Sequence, residues 1–166
     1  MKVTTVKLDD IDSPTFVGRR QEHFNFRATT SLEMFRAQNG DESGITVFMN
    51  NISHYDLVLH KDANGENKIL LRYRLGKMNH IAKEIIVSTE KVTFQVKGES
   101  NYYSFAYSLD GKSYNNIDKM DVRFLSSETA GGFTGVYLGL FSSVESKLSK
   151  TYSDFDYFTY LPDSKL

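Results

Sequence analysis

Along residues 24–34 the side chains alternate in character with a period of two. The even positions carry Phe24, Phe26, Ala28, Thr30, Leu32 and Met34. The odd positions carry Asn25, Arg27, Thr29, Ser31 and Glu33. Successive side chains of a strand point to opposite faces. The pattern therefore predicts a strand with one apolar face and one wet face.

Residues 91–97 repeat the logic, with Val92, Phe94 and Val96 facing in and Lys91, Thr93, Gln95 and Lys97 facing out. Further stripes follow at short spacing: Ile45, Val47 and Met49; Tyr55, Leu57 and Leu59; Ile69, Leu71 and Tyr73; Tyr103, Phe105 and Tyr107. Two late strands are predicted over residues 136–141 and 152–160. Asn64-Gly65 and Asp110-Gly111 punctuate the series, and both dipeptides suit hairpin turns that need positive φ. Residues 118–127 read as a helical turn or a loop. Many short alternating strands with regular turns predict an all-β chain, a sandwich of two antiparallel sheets, with a closed barrel as the alternative.

Composition agrees. There are 12 Phe and 10 Tyr, residues that favour strands. Twenty basic residues against 21 acidic ones leave a net charge of -1. Without a basic surplus or a run of like charge, neither a nucleic acid nor a membrane surface is an expected partner. No cysteine is present, which removes disulfides, thiolate nucleophiles and cysteine-bound zinc. No stretch has the length of a signal-peptide core or a membrane span, so a cytoplasmic or periplasmic location is expected.

Familiar catalytic signatures are missing: no nucleophile elbow, phosphate loop or zinc helix. His54 and His60 fall on one face of one strand, but roughly 20 Å apart, too far to share an ion. His54 and Asp56 share a face about 7 Å apart. With Arg72 and Arg74 on the neighbouring hairpin strand, they are candidates to line a polar, sugar-binding groove. The plainer reading is a solvated sheet face. Asp154 and Asp156 flank Phe155 and are expected on the face opposite Phe155 and Tyr157. They are the candidates for a structural calcium, although calcium takes 6–8 oxygen ligands. No other cofactor is expected. In Ala130-Gly131-Gly132-Phe133-Thr134-Gly135, glycines on both sides of one aromatic leave Phe133 either as a core plug or as an arm reaching another surface.

Several stretches together resemble one family. They are Phe16-Val17-Gly18-Arg19-Arg20-Gln21-Glu22-His23-Phe24, Glu42-Ser43-Gly44-Ile45-Thr46-Val47-Phe48, Tyr107-Ser108-Leu109-Asp110-Gly111, Gly131-Gly132-Phe133-Thr134-Gly135 and Asp154-Phe155-Asp156-Tyr157-Phe158. Their order is similar to the concanavalin-A-like C-terminal domain of β-xylosidases and α-L-arabinofuranosidases of glycoside hydrolase family 43. The resemblance implies a jelly-roll sandwich over residues 1–166, part of a larger glycosidase whose catalytic five-bladed propeller lies outside this chain. It implies that this chain alone is no enzyme, that it packs on the propeller, and that Phe133 helps cap the sugar pocket. Arg19, Arg20 and Gln21 match the family as structural or interfacial residues. The partners implied are that propeller and a xylo- or arabino-oligosaccharide. Domains of the family carry further strands before the Arg19-Arg20-Gln21 stretch, so an open sheet edge is expected here. Two other readings stand beside this one: a stand-alone carbohydrate-binding module, and a purely structural or oligomerisation module.

Overall fold

The computed structural model describes residue 1, residues 3–132 and residues 135–163. Among the described residues, eleven strands form two antiparallel sheets. In chain order they are β1 (Thr15–Arg20), β2 (Phe26–Phe35), β3 (Glu42–Asn50), β4 (Ser53–Lys61), β5 (Asn67–Leu75), β6 (Met78–Val87), β7 (Lys91–Gly98), β8 (Tyr102–Ser108), β9 (Asn115–Asp121), β10 (Tyr137–Ser143) and β11 (Tyr152–Pro162). One sheet has the order β1-β10-β3-β4-β5-β6, the other β11-β2-β7-β8-β9. The sandwich reading holds, and the barrel alternative does not.

The core lies between the sheets and is built from the stripes legible in the sequence. Phe26, Leu32, Ile45, Val47, Tyr55, Leu57, Ile69, Leu71, Phe94 and Phe105 are each at most 1% exposed. Phe24 is not among them. It is 80% exposed and precedes β2, which begins at Phe26.

The outer faces are drier than the alternation predicts. Thr29, Ser31, Thr93 and Gln95 are buried, because β2 and β7 are flanked by strands on both sides and the Gln95 amide lies across to the Thr29 hydroxyl at 3.4 Å. The six-stranded sheet is covered on its outer side by the segment before β1. Leu8 lies in a second apolar cluster with Val58, Leu70 and Phe141. Thr4 bridges Ser143 in parallel, and its carbonyl accepts from the Val144 N–H at 3.0 Å. Residues 3–12 thus form a strap, and β1 is the edge strand beside it.

Irregularities sit where the sequence pattern misleads. Residues 118–121 belong to β9, and among the described residues only Val122–Leu125 (a 3-10 turn) and the short helix α1 (Ser127–Ala130) are helical. A bulge between Phe155 and Tyr157 breaks the alternation of β11. Phe155 pairs with Leu32 on the core face, but Tyr157 pairs with Ser31 on the outer face. Tyr157 therefore shares the outer side with Asp154, contrary to strict alternation. The Tyr157 carbonyl at the bulge accepts from the buried Thr30 hydroxyl at 2.7 Å.

The turn dipeptides lie in loops longer than two residues. Gly65 (φ +81°) and Gly111 (φ +71°) take the left-handed backbone expected of them. Asp62 and Asp110 organise these loops, each accepting two backbone N–H bonds at 2.7–2.9 Å. Among the described residues, no helix is long and apolar enough to cross a membrane.

Candidate functional site

Two regions collect the candidate residues. The first is the end of the sandwich where the chain crosses from β1 to β2. Gln21 is fixed from three sides. Its N–H donates to the Val136 carbonyl at 2.9 Å, and its side-chain amide donates to the His23 carbonyl at 2.9 Å. Its side-chain oxygen accepts from the Tyr103 hydroxyl at 2.7 Å. The Tyr160 hydroxyl accepts from the N–H groups of Glu22 and His23, both at 3.2 Å. The Tyr160 ring stacks on Phe26 with centroids 5.0 Å apart, and Arg19 lies 4.5 Å above it. Arg19 also pairs with Glu22 at 3.0 Å.

This clamping gives the crossover one shape and turns Phe24 outward. Beside it opens a cleft of about 420 Å³ lined by Gln21, Phe24, Met49, Tyr103, Leu125 and Gly135, among others. Arg20 reaches the end of the glycine-rich loop. A Cβ placed on Gly135 would stand 3.3 Å from its Nε. The stretch Arg19-Arg20-Gln21 and the glycine-rich loop, far apart in sequence, therefore meet at one end of the fold. Gln21 is a structural anchor there, whereas Arg19 and Arg20 are exposed. Phe133 itself lies outside the described residues.

The second region is the polar cluster on the outer face of the six-stranded sheet. The structure does bring His54, Asp56, Arg72 and Arg74 together, on β4 and β5. They do not form an open groove. His54 is 2% exposed and Asp56 is fully buried, because the strap lies over them. His54 Nδ1 is 2.9 Å from Asp56, and Nε2 is 2.9 Å from Asp9 on the strap. An imidazole donates from both nitrogens only when protonated. Burial alone would favour the neutral ring. The charge of Asp56 and the hydrogen bonds to Asp56 and Asp9 outweigh it and raise the pKa to about 9.

Arg72 completes the network. Its Nε donates to Asp56 at 3.0 Å, and its other two nitrogens grip Glu42 at 2.6 and 2.8 Å. Burial would push the Glu42 carboxyl up, but the Arg72 guanidinium, with the His60 ring 3.6 Å away, holds it at about 2. Against the same push, His54 and Arg72 hold Asp56 well below the usual carboxylate range. Arg74 pairs with Asp9 at 3.3 Å, and Lys7 with Glu145 at 2.6 Å. Four cations thus face four carboxylates. Asp9, Glu42 and Tyr160 escaped the sequence reading, since nothing in a linear pattern marks which charge will be buried.

Asp154 and Asp156 are exposed on a shallow depression shared with Glu33 and Lys91. Among the described residues, no group of three or more His, Asp or Glu is placed to hold a metal ion.

Two antiparallel sheets of six and five strands packed over one core form a β-sandwich of the concanavalin-A-like kind. The chain belongs to the β-xylosidase C-terminal concanavalin-A-like domain family, whose model matches residues 1–161. It is similar to a non-reducing-end α-L-arabinofuranosidase of Bacteroides ovatus, with 28% identity over 96% of this chain and 30% of the relative. A putative β-xylosidase of Escherichia coli is 30% identical over 88% of this chain and 29% of the relative. Among solved structures, a xyloglucan-locus family 43 protein of Bacteroides ovatus superposes with a TM-score of 0.89 at 26% identity. That match covers 98% of this chain and 32% of the other. A xylan β-1,4-xylosidase of Bacillus halodurans shares the fold, with a TM-score of 0.86 at 21% identity over 96% of this chain and 32% of its own. The chain thus spans about a third of the relatives it matches, as an accessory domain does.

Proposed function

We propose that this chain is one accessory domain of a larger glycoside hydrolase that removes terminal pentoses from xylan or arabinan. It packs on the catalytic five-bladed propeller through the end cleft and helps close the sugar pocket, without hydrolysing anything itself. One observation carries the reading: the Arg19-Arg20-Gln21 stretch and the glycine-rich loop converge where Phe24 projects, 80% exposed, beside the cleft. A large apolar side chain held outward by a clamped backbone suits a partner surface better than solvent. The relatives, an α-L-arabinofuranosidase and a putative β-xylosidase, support this substrate class.

In this reading Phe133 is the capping aromatic, and Arg19 and Arg20 flank the docking surface. The test is co-expression with the catalytic domain of a family 43 relative. Co-purification and restored activity on aryl β-xyloside or α-arabinofuranoside are expected. Phe24→Ala should weaken association, and Phe133→Ala should raise KM more than it lowers kcat. Hydrolysis by this chain alone, or association untouched by Phe24→Ala, would count against it.

A further inference from the structure

The strap does not fill the space above the polar cluster. A cavity of about 180 Å³ remains between Lys7–Asp9 and the outer face of the six-stranded sheet. Two buried polar atoms at its wall have no hydrogen-bond partner among the described residues: Arg74 Nε and His60 Nδ1. The nearest acceptor to His60 Nδ1, Glu42, stands 3.6 Å away, beyond hydrogen-bond range. A buried polar group left unpaired is costly, so these two atoms call for an occupant.

The wall also indicates what kind. It offers a donor in Arg74, acceptors in Glu42 and Glu145, and the amide of Asn79, which does both. The four cations and four carboxylates around it balance, so neither an anion nor a metal ion gains a net field. A neutral molecule rich in hydroxyls meets both needs, because each hydroxyl donates and accepts. At ~30 Å³ per water the cavity holds roughly six waters, comparable to one pentose.

We propose that this cavity binds a neutral polyhydroxylated molecule of monosaccharide size, held by Arg74, His60 and Asn79 beneath the strap. The residues in contact are not the four named from the sequence. His54, Asp56 and Arg72 are occupied with one another, and of the original set only Arg74 keeps a free donor. The inference rests on the carbohydrate reading above only for the choice of probe.

The test is an NMR titration of the intact chain with D-xylose and L-arabinose, following the His60 ring and the Arg74 Nε–H. Saturable shifts at millimolar sugar are expected, with Kd raised about tenfold in Asn79→Ala, a loss of ~1.4 kcal/mol. His60→Gln should raise Kd similarly, whereas Phe24→Ala should leave it unchanged. Asn79 is exposed on the edge strand β6, so its substitution spares the fold. Absence of saturable shifts with either sugar would mean that the cavity holds water only, and would overturn the proposal. Saturation unchanged in both Asn79→Ala and His60→Gln would place the sugar elsewhere and overturn it equally. Because no propeller is involved, either result is independent of whether docking at the end cleft succeeds.

Discussion

The guanidinium of Arg72, on β5, reaches past β4 to hold both carboxylate oxygens of Glu42 on β3, at 2.6 and 2.8 Å. Glu42 is 6% exposed, and Asp56, on the intervening strand, is fully buried. The fork geometry of Arg suits this bidentate contact, and Lys would not reproduce it. Arg72→Ala would leave buried Glu42 without its main cation and buried Asp56 with His54 alone. Removing one partner of a buried pair costs about 3–5 kcal/mol. Urea denaturation should show a loss of that order, with Arg72→Lys recovering only part of it.

The same cluster sets a pH window. The His54 pKa is raised from 6.5 to about 9 on folding. Its contribution is therefore complete below pH 6.5 and is lost as pH rises through about 9. The Glu42 pKa is lowered from 4.5 to about 2, so its contribution is complete above pH 4.5 and is lost as pH falls through about 2. Both are fully present between pH 4.5 and 6.5, where unfolding free energy should be highest. The decline between pH 7 and 9 should be largely absent in His54→Gln, as followed by denaturation at each pH.

Leu8 anchors the strap. It is 4% exposed against Val58, Leu70 and Phe141 on the outer face of the six-stranded sheet. Leu8→Ala removes most of that contact, and buried Leu→Ala changes cost about 2–5 kcal/mol. The expected value is at the low end, because the strap can lift away and let water in. Hydrogen exchange should accelerate in residues 4–10 and around His54, while β7 and β8 in the other sheet keep their protection.

At the other end, the Tyr160 hydroxyl accepts from two successive backbone N–H groups, those of Glu22 and His23. Tyr160→Phe keeps the ring stacked on Phe26 and deletes only that acceptor. A stability loss of about 1–2 kcal/mol is expected. The informative change is local: the crossover holding Phe24 should gain mobility in NMR relaxation, and association with a family 43 catalytic domain should weaken even where the core is intact.

Period-two alternation marked strands that lie between other strands, β2, β3, β4, β5, β7 and β8, because both their faces lie under control of the sheet and core. It missed β1, β6 and β9, which are edge strands and mostly exposed. An edge strand buries too little to need a pattern. The bulge in β11 was equally invisible, since one extra residue reverses the facing of everything after it without changing composition.

By itself the sequence determined the class of fold, the inward stripes and the family, because these depend on local periodicity and on short ordered motifs. Tertiary structure decided the rest. It took His54, Asp56 and Arg72 from a supposed wet face and buried them, because a strap of residues 3–12 folds back across the sheet and brings Asp9 onto His54. It brought Arg20 to Gly135, which lie 115 residues apart. Long-range closure of this kind sets burial, and burial sets which charges pair and which donors stay free, a quantity that no single stretch of chain encodes.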